Sequence, residues 1–344
     1  MKAIVKFAKG HGNIEIREIQ KPVVKDGEVM VEIKAAGICG TDLHHYEIGD
    51  QVAIPVVLGH EFSGDVIEIG KGVKGWKIGE RVVSETHAHA CYECYLCQTG
   101  KYHLCKERKG FGSSVDGAFT QFLAVPARLL HRIPDHLSYP EATIIQPAAD
   151  IVNAVITNSS LKAGDTVVVL GPGPMGLLTV EVARAAGAGR VIVVGLDADR
   201  ERMDVAAKIG ADITINSSRE DPVERVKELT DARGADVVFE VTGAKTALLQ
   251  GLQMLAQKGQ MTIIGVHRQP VEIPIRALQR AEQSIRGSAM STWIDYERAI
   301  QLTKSGRIQL KPLISDVLPL TEWQKGFDMA LNKQACKVIF TPVG

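Results

Sequence analysis

Along the first 150 residues the hydrophobic positions fall in short runs, such as Val29-Met30-Val31-Glu32-Ile33-Lys34 and Gly64-Asp65-Val66-Ile67-Glu68-Ile69, divided by glycine-containing turns. Runs of that length between turn residues predict strands, and Met1-Lys2-Ala3-Ile4-Val5 alternates like one, so residues 1–150 read as a β-rich domain. Beyond them the rhythm becomes apolar strand, glycine turn, long helix, apolar strand: Thr166 to Leu170, Leu177 to Ala186, Val191 to Val194. It continues through a helix Arg202 to Ile209, a strand Asp236 to Glu240, a helix Thr246 to Leu255 and a strand Gln260 to Ile264. Apolar strands alternating with helices imply a parallel sheet covered on both faces, so residues 151–289 are expected to form a doubly wound α/β domain. A helix near Tyr296 to Lys304 and a closing strand Cys336 to Phe340 follow without a linker of their own, and residues 290–344 are expected to rejoin the first domain. Val271-Glu272-Ile273-Pro274-Ile275 reads as an edge strand through which two copies would join.

A chain of 344 residues suits two hydrophobic cores, in keeping with that division. No apolar run approaches the roughly 20 residues that span a bilayer, and the start of the chain lacks the features of a signal peptide. The expectation is a soluble, cytoplasmic protein. Its formal net charge is zero, with Lys and Arg scattered along it, so nothing marks it for nucleic acid or anionic lipid and small molecules are the expected partners.

Four of the six cysteines, Cys91, Cys94, Cys97 and Cys105, form C-x2-C-x2-C-x7-C. A short loop with this spacing can wrap four thiolates around one zinc ion and leave no open coordination position, which implies a structural site. Reduced, unliganded thiols are hard to reconcile with four cysteines in fifteen positions, and an iron–sulfur cluster usually brings other spacing.

Gly171-Pro172-Gly173-Pro174-Met175-Gly176 stands between the strand ending at Leu170 and the helix that follows. That is G-x-G-x-x-G in its strand-turn-helix setting, with glycines for the tight turn, for approach to a pyrophosphate and for close packing. Gly171, Gly173, Pro174, Met175 and Gly176 are therefore expected to bind a dinucleotide. After the next strand Asp197 is the candidate ligand for the ribose hydroxyls of NAD, while Arg200 and Arg202 stand close enough to meet the 2′-phosphate of NADP instead. NAD is the expected cofactor with NADP not excluded, and Val266 joins the candidate cofactor contacts.

Gly37-Ile38-Cys39-Gly40-Thr41-Asp42 and Gly59-His60-Glu61 bring a thiol, an imidazole and a carboxylate into two glycine-flanked turns, a three-ligand set suited to a catalytic zinc. Through G-I-C-G-T-D-L-H, G-H-E, the cysteine lobe and G-P-G-P-M-G, over essentially its whole length, the chain resembles the zinc-containing medium-chain alcohol dehydrogenase family, in its sorbitol, threonine and butanediol dehydrogenase branch. The resemblance implies a GroES-like β-barrel plus a Rossmann domain, an active site in the cleft between them, and assembly as a homodimer or homotetramer. It implies Cys39, His60 and Glu61 as zinc ligands, Thr41 and His44 as a proton relay, and two zinc ions per chain. His45 carries no assigned role, and Cys336 reads as an ordinary buried thiol.

The chain departs from the family at Gln146, where a Cys, Glu or Asp is usual. A neutral amide can be a weak or water-mediated ligand but brings no charge, and Asp150 one helical turn later could take that place. The reaction expected is hydride transfer from a secondary alcohol, a polyol or vicinal diol, to the nicotinamide. An L-threonine 3-dehydrogenase is the competing reading, through Ser84-Glu85-Thr86-His87 and T-D-L-H, both of which resemble that subfamily, and a catalytically idle nicotinamide-binding protein is the rival of another class. Tyr46, Phe111 and Trp293 are aromatic residues that could flank a substrate.

Overall fold

The computed structural model describes residues 1–342 and divides into two compact units. One contains Met1–Pro147, Ser291–Ile300 and the chain from Ile314 onward; the other contains Ala148–Met290 and Gln301–Leu313.

The first unit is built on a seven-stranded sheet. Its strands lie in the order Ile314–Pro319, Lys337–Thr341, Glu28–Gly37, Glu61–Ile69, Arg81–Ser84, Leu130–Arg132, and Phe122–Pro126 pairs with Glu28–Gly37 as well. A smaller sheet sets Lys2–Lys6 between Ile14–Glu18 and Val56–Val57. The strand Glu28–Gly37 is antiparallel to Glu61–Ile69 and Phe122–Pro126 and carries the first buried apolar row, Val29, Met30, Val31 and Ile33. Phe62, Phe119, Phe327 and Phe340 fill the interior with edge-on and stacked rings, an arrangement that aromatic quadrupoles favour.

The second unit is a six-stranded sheet in the order Ile213–Asn216, Arg190–Gly195, Thr166–Leu170, Ala235–Glu240, Leu255–Ile263, Ser284–Gly287, with every neighbouring pair parallel. All five residues of Thr166–Leu170 are buried, as a central parallel strand requires. After Ile213–Asn216 the chain crosses to the other side of Thr166–Leu170, so the strand order reverses between Thr166–Leu170 and Ala235–Glu240. In open sheets of this kind ligands bind at that reversal, outside the carboxyl ends of the strands.

Two expectations are corrected. Val271-Glu272-Ile273-Pro274 is not a strand: Val271 and Ile273 pack on the second core, and a helix begins at Ile275. Pro274 has no N–H to offer a ladder, and the outermost strand is Ser284–Gly287. Residues 301–313, expected to return with the tail, cluster with the second unit instead. The Gln309 N–H donates to Glu181 Oε1 at 2.7 Å, and Arg307 reaches the Ala185 carbonyl at 3.4 Å.

Candidate functional site

Cys39 caps the N-terminus of the helix Gly40–Glu47, and Asp42 in its first turn ties two loops together. One Asp42 oxygen accepts the Cys39 N–H at 2.9 Å and the other accepts the Gly59 N–H at 3.1 Å, with the side chain fully buried. Gly59 has φ +89°, and a Cβ there would stand 2.5 Å from the Phe119 ring, so glycine alone lets His60 follow this turn. One ligand atom each from Cys39, His60 and Glu61 lies within 4.8 Å of the others.

Glu61 opens the strand Glu61–Ile69, and its buried carboxylate meets Lys337 of the closing strand. The Lys337 ammonium donates to Glu61 Oε1 at 2.7 Å and to the Ile38 carbonyl at 2.9 Å, and contacts Oε2 as well. Burial works against a charged His60, yet Cys39, Asp42 and Glu61 around it prevail and raise it to about 10. The convergence of the Asp42 and Glu61 carboxylates on His60 favours a cation at this point. A soft thiol, an imidazole and a carboxylate are a donor set that zinc accepts.

Thr41 is exposed, its hydroxyl 3.9 Å from Cys39 Sγ. His44 lies three residues on along the same helix face, with Nε2 3.3 Å from the exposed carboxylate of Asp50 and Nδ1 buried without a partner. His45 points into the interior with neither ring nitrogen hydrogen-bonded, and burial lowers its pKa.

In the cysteine lobe Cys91 Sγ lies 3.5 Å from Cys105 Sγ and 3.8 Å from Cys97 Sγ, far outside disulfide bonding. The four ligand sulfurs lie within 4.8 Å of one another. Backbone N–H groups of Glu93 and Cys94 pull Cys91 down to about 7, while burial and the neighbouring thiols push Cys97 up to about 12, as protons are shared among crowded thiols. Convergent, unbridged thiols fit a closed tetrahedral ion.

At the glycine turn Gly171 takes φ +102°, and a Cβ on Gly176 would stand 1.8 Å from the Gly171 carbonyl. The helix Pro174–Ala185 starts there, with Pro174 at its first position and Gly173 as its cap. Its first-turn N–H groups have no partner within the helix, and the turn before it leaves the carboxyl end of the central strand at Leu170. Asp197 is exposed and already engaged: its Oδ1 accepts from Asn216 Nδ2 and Arg219 Nε, both at 2.7 Å, and these bonds lower its pKa. Arg202 leans toward Asp199 at 3.6 Å. Val266 is among the most exposed apolar residues.

Other candidates fall elsewhere. Phe111 is buried edge-on against Phe62, and Tyr46 packs on Phe327 and Trp323, so both are packing residues. Trp293 is half exposed beside His131. Cys336 is only half buried and lies just before the closing strand, contrary to expectation. Gln146 is buried at the start of the helix Ile145–Val152, whereas Asp150 belongs to the second unit. Lys337, Asp42, Asp50 and Arg219 were not singled out from the sequence. Only Asp42 had a local signal there, inside G-T-D-L-H.

Residues 25–135 match the alcohol dehydrogenase GroES-like domain, and residues 174–305 match the zinc-binding dehydrogenase family. The sorbitol dehydrogenase of Halalkalibacterium halodurans is 38% identical over 344 residues, covering 100% of both chains. The L-threonine 3-dehydrogenase of Bacillus subtilis is 38% identical over 351 residues, covering 99% of each. A dehydrogenase of Sinorhizobium meliloti 1021, described as zinc-binding and solved bound to NADP, superposes with a TM-score of 0.92 at 31% identity, covering 99% of each chain. The chain belongs to the zinc-containing medium-chain alcohol dehydrogenase family. It is accordingly a zinc-dependent, nicotinamide-linked oxidoreductase acting on an alcohol, with a GroES-like domain and a Rossmann domain.

Proposed function

We propose that the chain oxidises a secondary alcohol of a polyol or vicinal diol, with NAD as hydride acceptor. The observation that carries this reading is the convergence of Cys39, His60 and Glu61 beside the exposed Thr41 hydroxyl. Those three side chains would hold the catalytic zinc, with Gln146 at most a neutral fourth donor, and Cys91, Cys94, Cys97 and Cys105 would hold a structural one. Zinc, when bound, supplies Lewis acidity that makes a substrate hydroxyl a stronger acid. Thr41 accepts that proton, His44 takes it one helical turn on, and Asp50 carries it to solvent. A nicotinamide bound at the glycine turn would supply the hydride acceptor and with it the redox chemistry.

The sorbitol dehydrogenase of H. halodurans, matched from end to end, supports a polyol. The B. subtilis L-threonine 3-dehydrogenase supports the threonine reading at the same identity, but of the two segments that suggested it Ser84-Glu85-Thr86-His87 is taken up in internal contacts. His87 is buried, its Nε2 2.8 Å from the Ser291 carbonyl and its Nδ1 3.5 Å from Arg108, while Glu85 accepts from the Tyr102 hydroxyl at 2.6 Å. Asp197 favours NAD. NADP is a second reading, favoured by Arg219, an exposed guanidinium at Asp197 that could meet a 2′-phosphate.

We read the assembly as a cytoplasmic homodimer or homotetramer joined through the outer strand Ser284–Gly287, which light scattering would check. The test of function is reduction of NAD and NADP against sorbitol, xylitol, iditol, inositol, 2,3-butanediol and threonine, with zinc content measured alongside. Turnover of a polyol or diol that needs zinc, with two ions per chain, is the expected result. Turnover of threonine alone would overturn the substrate reading, and one ion per chain with cofactor bound but no turnover would favour the idle binder.

A further inference from the structure

The reversal of strand order in the second unit holds a polar cluster that the proton path and the glycine turn do not use. Glu240 ends the strand Ala235–Glu240 with its side chain fully buried. Its Oε1 accepts the Thr242 N–H at 2.7 Å and the Gly243 N–H at 3.0 Å, together with the Thr242 hydroxyl. Its Oε2 lies 2.9 Å from His267 Nε2. The Glu240 carbonyl in turn accepts the N–H groups of Ile264 and Gly265.

One buried residue thus gathers the loops that leave two neighbouring strands, and the backbones come close. A Cβ on Gly243 would stand 2.5 Å from the Val266 carbonyl, and one on Gly171 would stand 2.5 Å from Thr242 Cγ2. The glycine turn, the Thr242–Gly243 loop and the Val266–His267 loop therefore form one continuous edge.

The Glu240 contact limits what a neutral His267 can offer. A carboxylate only accepts, so His267 Nε2 carries the proton and donates it to Glu240. In neutral imidazole Nδ1 is then an acceptor, and it makes no hydrogen bond among the described residues. The acid that follows the second strand of such a sheet serves the adenosine ribose, which assigns the Asp197 side to the adenosine half of a dinucleotide. The Ala235–Glu240 and Leu255–Ile263 side is left for the nicotinamide half, whose ribose hydroxyls and carboxamide are hydrogen-bond donors.

We propose that His267, oriented by the buried Glu240 carboxylate, accepts a hydrogen bond from the nicotinamide riboside half of the cofactor. Glu240 is the positioning residue and His267 the contact. This rests on the dinucleotide lying at the glycine turn, and the test separates the two ideas. Dissociation constants of full-length, zinc-loaded protein for 5′-AMP and for whichever of NADH and NADPH the wild type binds are compared for wild type, His267→Ala and His267→Gln.

The expected result is dinucleotide binding about three- to tenfold weaker in His267→Ala, the worth of one hydrogen bond, with 5′-AMP unchanged and part of the loss recovered by the acceptor carbonyl of Gln. Unchanged dinucleotide binding in His267→Ala would overturn the proposal and leave the cofactor site standing. Equal losses for 5′-AMP and dinucleotide would overturn it too, by showing a general disturbance of the domain. A wild type that binds neither NADH nor NADPH would instead overturn the placement of the dinucleotide.

Discussion

The two units differ in what they bury. The first takes Lys6, Asp42, Glu61, Glu85, Asp295 and Lys337 into its interior along with several histidines, whereas the second buries only Glu181, Asp199 and Glu240 among charged residues. A metal site needs charged ligands fixed in a dry place, and each brings a desolvation cost that a partner must offset. Hence Lys337 for Glu61, and two backbone N–H groups for Asp42. A dinucleotide site recognises its ligand largely with backbone N–H groups at a helix start, so its sheet can stay aliphatic.

The largest effect that tests this contrast is loss of a ligand in the first unit. His60→Ala is expected to lower turnover more than about 100-fold, since even residues behind metal ligands are worth 10 to 100. Zinc content should fall by one ion per chain, with NADH binding intact. Emptying of both metal sites would show that the clusters are not independent.

Lys337→Met breaks a buried pair and is expected to destabilise metal-free protein by roughly 3–5 kcal/mol. Added zinc should shrink that gap, because the ion takes over neutralisation of Glu61. Thermal melts with chelator and with zinc read the difference, and a gap of equal size in both would mean that Glu61 does not face the metal.

The smallest effect lies in the second unit. Burial, only partly opposed by the Gln309 N–H, pushes Glu181 up to about 7, and its Oε2 has no partner. A carboxyl whose folded pKa is raised favours the fold below its unfolded pKa near 4.5, and that advantage is lost as pH rises through about 7. Glu181→Gln should therefore match wild type near pH 5 and exceed it by up to about 3 kcal/mol at pH 8. Melting curves across that range decide it, and parallel curves would show that Glu181 titrates normally.

The same contrast explains what could be read from the amino acids. Thr166–Leu170 and Ala235–Glu240 were legible because a strand buried on both faces carries an apolar run, residues 167–170 and 237–239, and the glycine turn because a close approach excludes side chains. Ile213–Asn216 was missed, being a short outer strand only partly buried, and the Val271 segment misled because its apolar residues pack on the core from a loop. In the first unit the candidate ligands stand out through glycine-flanked turns and cysteine spacing. Lys337 could not, since it pairs with Glu61 across 276 residues and nothing near either one announces the other.

That separation bears on the order in which the molecule can be made. All six strands of the second unit have been synthesised by Gly287, so its sheet can close while the chain is still growing. The first unit was begun earlier, yet its sheet lacks two neighbouring strands until Ile314–Pro319 and Lys337–Thr341 emerge. Until Lys337 emerges, Glu61 is a carboxylate waiting for its counterion. The later-encoded unit is thus the earlier one able to mature, and the first waits on a strand whose lysine lies 276 residues beyond Glu61.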